Sequence, residues 1–162
     1  RTLVPLVNAP RRVPDGRVRD ALALLVEHDD LRAALADPRV AKLALAKERW
    51  TGAYRAVMRT APVVGPDVAL LRFSTPFQVH PLVATAWSRR LAPRLVVAAN
   101  DGYLPGRVNF AVRGARGDLR RLLREALPEA DGEFAHGHAR ATGGSLEPAL
   151  FTELCRRLGV LA

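Results

Sequence analysis

The sequence has a single cysteine, Cys155, and two lysines, Lys42 and Lys47, among its 162 residues. One cysteine excludes an internal disulfide and any zinc site built on several thiolates. No apolar run approaches the roughly 20 residues that a membrane-spanning helix needs; the longest, such as "LVVAA" at 95–99, are far shorter. No membrane partner is therefore expected. Internal repeats and low-complexity tracts are also missing. Residue 1 is Arg and no apolar signal segment follows it. The opening reads like the middle of something larger, so the chain is expected to be a piece of a longer protein.

Hydrophobic residues make up 49% of the chain, enough for one domain of ordinary size or a small domain with an extension. Cys155 falls at helical spacing with Phe151, Leu154 and Leu158, which predicts a buried structural thiol and fits a cytoplasmic setting. The net charge is +9, and 23 of the 25 basic residues are arginine. Guanidinium forks bind phosphate bidentately, so a nucleic acid or nucleotide is one reading of this balance. A GC-rich coding bias, which favours Arg over Lys and inflates Ala, is the other. The arginines are scattered, and charge alone does not choose between the two.

The opening, "RTLVPLVNAPRRVPDG", is punctuated by proline and reads as mostly irregular. Val18, Leu22, Leu25 and Val26 follow the spacing of an amphipathic helix. A short helical piece is predicted around Leu31–Leu35. A longer helix is predicted over about 40–58, with Leu43, Trp50, Tyr54 and Val57 on one face. "TAPVVGPD" (60–67) breaks it, and we place the main boundary there, giving a helical extension over 1–65 and an α/β domain over 66–162. Beyond it, "VALLRFS" (68–74) and "RLVVAAN" (94–100) read as strands, with a helix over 79–91 between them. "RVNFAVRG" (107–114) alternates Val108, Phe110 and Val112 against Arg107, Asn109 and Arg113, a half-exposed strand, and "DGYLPG" links it to the strand before. Asp118 is the expected N-cap of a helix carrying Leu119, Leu122, Leu123 and Ala126. A last helix is predicted over 146–158. The order β-α-β-β-α-loop-α indicates an α/β fold: a small mixed β-sheet packed with helices, preceded by a helical N-terminal extension.

The candidate chemistry lies in "EFAHGHARATGG" (133–144). His136 and His138 have the His-x-His spacing of some metal sites, but neighbouring Asp131 and Glu133 lack a matching spacing, so no metal site is expected within these residues. Nor does anything resemble a nucleophile elbow, so no catalytic residue is assigned. "ATGGS" precedes the last predicted helix, and such a stretch can aim backbone N–H groups at an anion beside a helix N-terminus. His138 and Arg140 could then donate to the same phosphate. A plain helix start capped by Ser145 is the other reading, which the spacing alone favours, and both stay open.

"RVNFAVRG", a helix, and then "FAHGHARATGG" resemble the DHH-associated C-terminal domain of DHH-family phosphoesterases. "VPLVNAPRR" followed by "ALALLVEHD" resembles a segment of RecJ-like single-strand exonucleases, in which an Asn-Ala-x-Gly-Arg motif precedes an apolar helix. Together these cover nearly the whole chain. Two departures stand out: Ala135, His136 and Gly137 replace the family's glycine run, and Arg11 replaces its Gly. The resemblance implies a substrate-gripping half of a metal-dependent phosphoesterase or oligoribonuclease acting on single-stranded nucleic acid, oligonucleotides or cyclic dinucleotides. The Mn²⁺ or Mg²⁺ site would lie in an upstream DHH catalytic domain, so these residues alone would be inactive. By the same resemblance, Gly137, His138, Arg140, Thr142, Gly143 and Gly144 would bind the substrate phosphate, with Arg113 as helper. Asn8 and Arg12 would point toward the metal-bearing half. A non-catalytic nucleic-acid-binding module, as in the related C-terminal domain of alanyl-tRNA synthetase, is the alternative.

Overall fold

The structure is a computed structural model that describes residues 2–115 and 117–160. The chain forms two compact units, Arg1–Ala56 with Pro76–Val79, and Val57–Thr75 with His80–Ala162.

In the first unit the proline-rich opening is more regular than its composition suggests. It forms a short helix, α1 (Val4–Val7), and a 3₁₀ turn, Pro10–Arg12. Each has proline in its first two positions, where the missing N–H has no helical partner to lose. Helices α2 (Val18–Glu27), α3 (Leu31–Ala36) and α4 (Arg39–Val57) follow. The Asp30 side chain caps α3 by accepting from the Ala33 N–H at 2.9 Å. Between α2 and α4, the Asp37 carboxylate accepts from Arg39 and pairs with His28 at 2.9 Å, and Arg39 also reaches Glu27. The hydrogen bonds from Arg39, then that from His28, hold the Asp37 carboxyl well below the usual carboxylate range.

The core of this unit is Leu6, Ala21, Leu24, Ala34, Val40 and Leu43. It corrects one expectation about α2. The helix is present, but it turns Ala21 and Leu24 inward, while Val18, Leu22, Leu25 and Val26 are 51–73% exposed. The short neighbours α1 and α3 cover only a narrow strip, and two small-to-medium side chains fill it. On α4, Leu43 and Val57 are buried, and Trp50 and Tyr54 meet edge to face at 6.5 Å.

The second unit is built on a sheet whose strands are β1 (Val63–Val64), β2 (Val68–Phe73), β3 (Leu95–Leu104), β4 (Arg107–Arg113), β5 (His136–His138) and β6 (Ala141–Leu146). Their order is β1-β2-β3-β4-β6-β5. Strands β2 and β3 are parallel and are joined through helix α5 (His80–Arg90); every other pairing is antiparallel. The sheet is therefore mixed, as the sequence predicts, because a parallel pair requires a crossover and a hairpin does not. The "DGYLPG" link is tighter than expected. The strands continue to Leu104 and resume at Arg107, leaving Pro105 and Gly106 as the turn, with Gly106 at φ 68°.

One face of the sheet carries Val97, Ala99, Val108, Phe110, Val112 and Leu146 against helices α6 (Leu119–Ala126) and α7 (Pro148–Arg157). Asp118 caps α6 as expected, its side chain accepting from the Arg120 N–H at 2.9 Å. Cys155 is fully buried in this core beside Leu154 and Phe151. Burial pushes its thiol up to about 12, and nearby Arg72 offsets only part of that rise. The folded protein is therefore expected to resist a thiol reagent such as iodoacetamide at pH 8 and to label fully in urea. Rapid labelling of the native protein would show that the α7 packing is wrong.

Helix α5 packs on the opposite face, over β3 and β4, burying Val83 and Ala84. Among the described residues no helix is long and apolar enough to cross a membrane.

Candidate phosphate-binding site

Because α5 covers only part of its face, the β4–β6–β5 side of the sheet is left as an open shelf. Strand pairing sets the floor: Asn109 lies opposite Ser145, Ala111 opposite Gly143 and Arg113 opposite Ala141. The small side chains in the middle leave a cavity of about 570 Å³. That volume lies within the roughly 300–1,000 Å³ of pockets that hold a nucleotide-sized ligand. His80 and Pro81, at the start of α5, wall one side, and His136 and Gly137 on β5 wall the other.

The polar groups around the shelf are unevenly satisfied. Arg113 is half-buried, and its Nη1 donates to the Val112 carbonyl at 2.9 Å and the Thr142 carbonyl at 3.2 Å. These bonds pin the guanidinium plane, while burial lowers its pKa without removing its charge. Asn109 is 7% exposed, and its Oδ1 has no hydrogen-bond partner among the described residues. A buried acceptor left unpaired costs about 1–3 kcal/mol, and in a cavity wall it can take a bond from a ligand donor such as a ribose hydroxyl or a base N–H, not from an ionised phosphate. Ser145 receives a hydrogen bond from the Arg107 Nε at 3.3 Å, and the Arg107 Nη2 donates to the Ser145 carbonyl. His136 is exposed, with Nε2 2.9 Å from the Gly132 carbonyl oxygen.

The residues assigned by resemblance separate into groups. Arg113, Gly137, Thr142, Gly143 and Gly144 line the shelf. Thr142 uses its hydroxyl internally, donating to the His136 carbonyl at 2.7 Å. His138 is exposed at the end of β5, opposite Ala141, and does not line the cavity. Arg140 sits in the two-residue β5–β6 turn and lines a neighbouring recess. Asn8 and Arg12 belong to the first unit. There the Asn8 Nδ2 donates to the Val4 carbonyl at 3.0 Å, and Arg12 lies over the Trp50 ring at 5.4 Å and donates to the Gln78 carbonyl at 3.3 Å.

The local reading of the glycine pair is corrected. Gly143 and Gly144 do not precede a helix; they stand inside β6, between β4 and β5, where the strand ladder takes their backbone groups. Helix α7 begins only at Pro148. The glycines are needed for close approach: a Cβ on Gly143 would lie 2.2 Å from the Phe110 carbonyl oxygen, and one on Gly144 would lie 2.5 Å from that of Glu133. Ala135, where the family has glycine, keeps a left-handed backbone at φ 54°. His80 and Asn109 were not singled out from the sequence as phosphate-site residues. A polar residue at mid-strand, Asn109 between Val108 and Phe110, was the available signal.

Among the described residues, no three His, Cys, Asp or Glu side chains gather into a group that could hold a metal ion. His136 and His138, the spacing that raised the question, lie on one exposed edge strand without a third donor.

No family model matches the sequence, and no curated protein matches it. Solved structures do. The chain is similar to exonuclease RecJ bound to manganese, with a TM-score of 0.61 and 21% identity over 97% of this chain and 38% of that one. It is similar also to PggH, a pGpG-specific phosphodiesterase from Vibrio cholerae, with a TM-score of 0.61 and 14% identity over 96% and 56% of the two chains. The C-Ala domain of Aquifex aeolicus alanyl-tRNA synthetase matches at a TM-score of 0.44 and 18% identity over 61% of this chain and 95% of that one, a likeness too slight to carry an argument. The chain thus spans less than two thirds of RecJ and of PggH. At these identities the likeness is one of fold, and it extends over nearly the whole chain. The RecJ-like, DHH-associated resemblance drawn from the sequence is matched at that level.

Proposed function

We propose that this chain is the substrate-gripping portion of a metal-dependent DHH-family phosphoesterase that acts on single-stranded nucleic acid, oligonucleotides or cyclic dinucleotides. The observation that carries this reading is the shelf, a floor of small residues beside a pinned, half-buried Arg113. Small floor residues let a phosphate approach the sheet. A fixed guanidinium loses little rotamer freedom on binding it, which favours affinity. The shared fold with RecJ, an exonuclease, and PggH, a phosphodiesterase, supports the assignment to phosphodiester chemistry. On this reading the chain's own residues bind and orient the phosphate. The manganese or magnesium belongs to an upstream catalytic half.

The test is a titration of this chain with thymidylyl-thymidine, a dinucleoside carrying one phosphate, followed by calorimetry at low salt. Arg113→Gln is expected to weaken binding about 10- to 100-fold, since a hydrogen bond to a charged group contributes about 1.5–3 kcal/mol. Arg113→Lys is expected to recover only part, because a point charge cannot replace a fork. Affinity should also fall as salt rises. Equal affinity in the Arg113→Gln protein would rule out the shelf as the phosphate site. An open reading frame whose upstream segment lacks any Asp-His-His motif would favour a binding module without chemistry.

A further inference from the structure

Beside the shelf lies a second, smaller recess of about 200 Å³, lined by Ser88, Arg94, Arg113, Gly114 and Arg140 among others. Arg113 borders both cavities. Several arginines elsewhere are occupied: Arg39, Arg72, Arg120, Arg121, Arg156 and Arg157 each hold a carboxylate at 2.5–2.9 Å. Among the described residues no carboxylate pairs with Arg94, Arg113 or Arg140. The Arg94 Nε donates to the Gly65 carbonyl at 3.0 Å, which fixes its position while leaving its charge uncompensated. Arg113 is fixed in the same way by its two carbonyl bonds. Three cations thus line one small recess to which the described residues contribute no carboxylate.

We propose that Arg94, Arg113 and Arg140 form a second phosphate subsite, so that the chain holds a nucleic-acid strand by two neighbouring phosphates. The inference rests on the shelf's being the first phosphate site. The size of the recess decides what enters it: at about 200 Å³ it lies below the roughly 300–1,000 Å³ of pockets that enclose a drug-sized ligand, so it suits an anionic group and not a nucleoside. Its placement decides the rest. From the shelf centre at Ala111 and Gly143 to the pair Arg113 and Ala141 is two strand residues, roughly 7 Å. That distance is of the order of the step between successive phosphates on an extended single strand. A bare mononucleotide would engage one subsite and an oligonucleotide both.

The test compares thymidylyl-thymidine with its 5′-phosphorylated form, two ligands with the same nucleosides and one or two phosphates. The second phosphate is expected to tighten binding to the parent chain at least tenfold, and to steepen the dependence of log K on log salt by about one phosphate contact. In Arg140→Gln and in Arg94→Gln that ratio is expected to fall to near one. Arg140, in an exposed turn, makes a substitution that leaves the fold in place. A ratio near one in the parent chain overturns the second subsite, and so does a ratio unchanged in Arg140→Gln. The proposed function survives either result if Arg113→Gln still weakens the one-phosphate ligand. No binding of either ligand overturns both readings.

Discussion

Gly143→Val is expected to destabilise the sheet unit by about 3 kcal/mol, at the upper end of the cost of overpacking, and to lower its urea midpoint accordingly. Strand propensity alone argues the reverse, because valine is favoured in strands and glycine weakens them. Steric distance decides between the two. The first added carbon would stand 2.2 Å from the Phe110 carbonyl oxygen and 3.1 Å from the Ala111 Cα, and both are backbone atoms that cannot rotate away. Making room means parting β6 from β4 at the middle of the shelf, so the surviving folded fraction should also bind phosphate weakly. Gly52 supplies the opposite sign. It lies inside α4, and a Cβ there would meet nothing within 4 Å. Gly52→Ala is therefore expected to stabilise by about 0.5–1 kcal/mol. A Gly143→Val protein with an unchanged midpoint would show that β4 and β6 are not so close.

Phe110→Ala is expected to cost about 3–5 kcal/mol by chemical denaturation. Phe110 is 2% exposed at the centre of β4. Its ring meets Phe151 of α7 at 5.4 Å between centroids and Phe134, just before β5, at 6.3 Å. Truncation removes the ring's buried area and both aromatic contacts, and the flanking strands cannot collapse to fill the space. Phe134 leads into the hairpin that walls the shelf, so the variant should lose ligand affinity before it loses its fold. Phe110→Leu keeps most of the volume and should cost less than half as much. A loss under 1 kcal/mol for the alanine variant would mean that the three rings are not one cluster.

The elements that could be read from the sequence are those whose burial follows from their own residues. Strands β2, β3 and β4 and helices α4 to α7 carry periodic apolar positions, and all form close to the predicted spans. The β5–β6 hairpin was missed because its strands, "HGH" and "ATGGSL", have neither β-branched density nor alternation. They are strands because a neighbouring backbone lies close enough to require glycine, a tertiary fact with no local signature. Helix α2 was located but its inner face was not, since two small-to-medium residues were enough to pack a narrow seam. At the site, Arg113 was found through its motif. His80 and Asn109 meet there only because α5 returns across β4, which spacing along the chain does not reveal. Arg140 was assigned to the same phosphate as His138, and the turn between β5 and β6 directs it to the adjoining recess.

The strand order has a further consequence, for assembly. In β1-β2-β3-β4-β6-β5, nearly every strand lies beside its neighbour in sequence, and the exchanged pair at one edge is itself a hairpin. The widest register pairing joins Val108 to Leu146. Loop-closure entropy grows only with the logarithm of loop length, so even the longest of these closures, β4 to β6, adds a modest entropic cost over the shorter ones. The glycine-rich β6 crosses back to the β4 edge that carries Arg113. The shelf is framed by that pairing, and a ligand that bridges β4 and β6 would stabilise it directly.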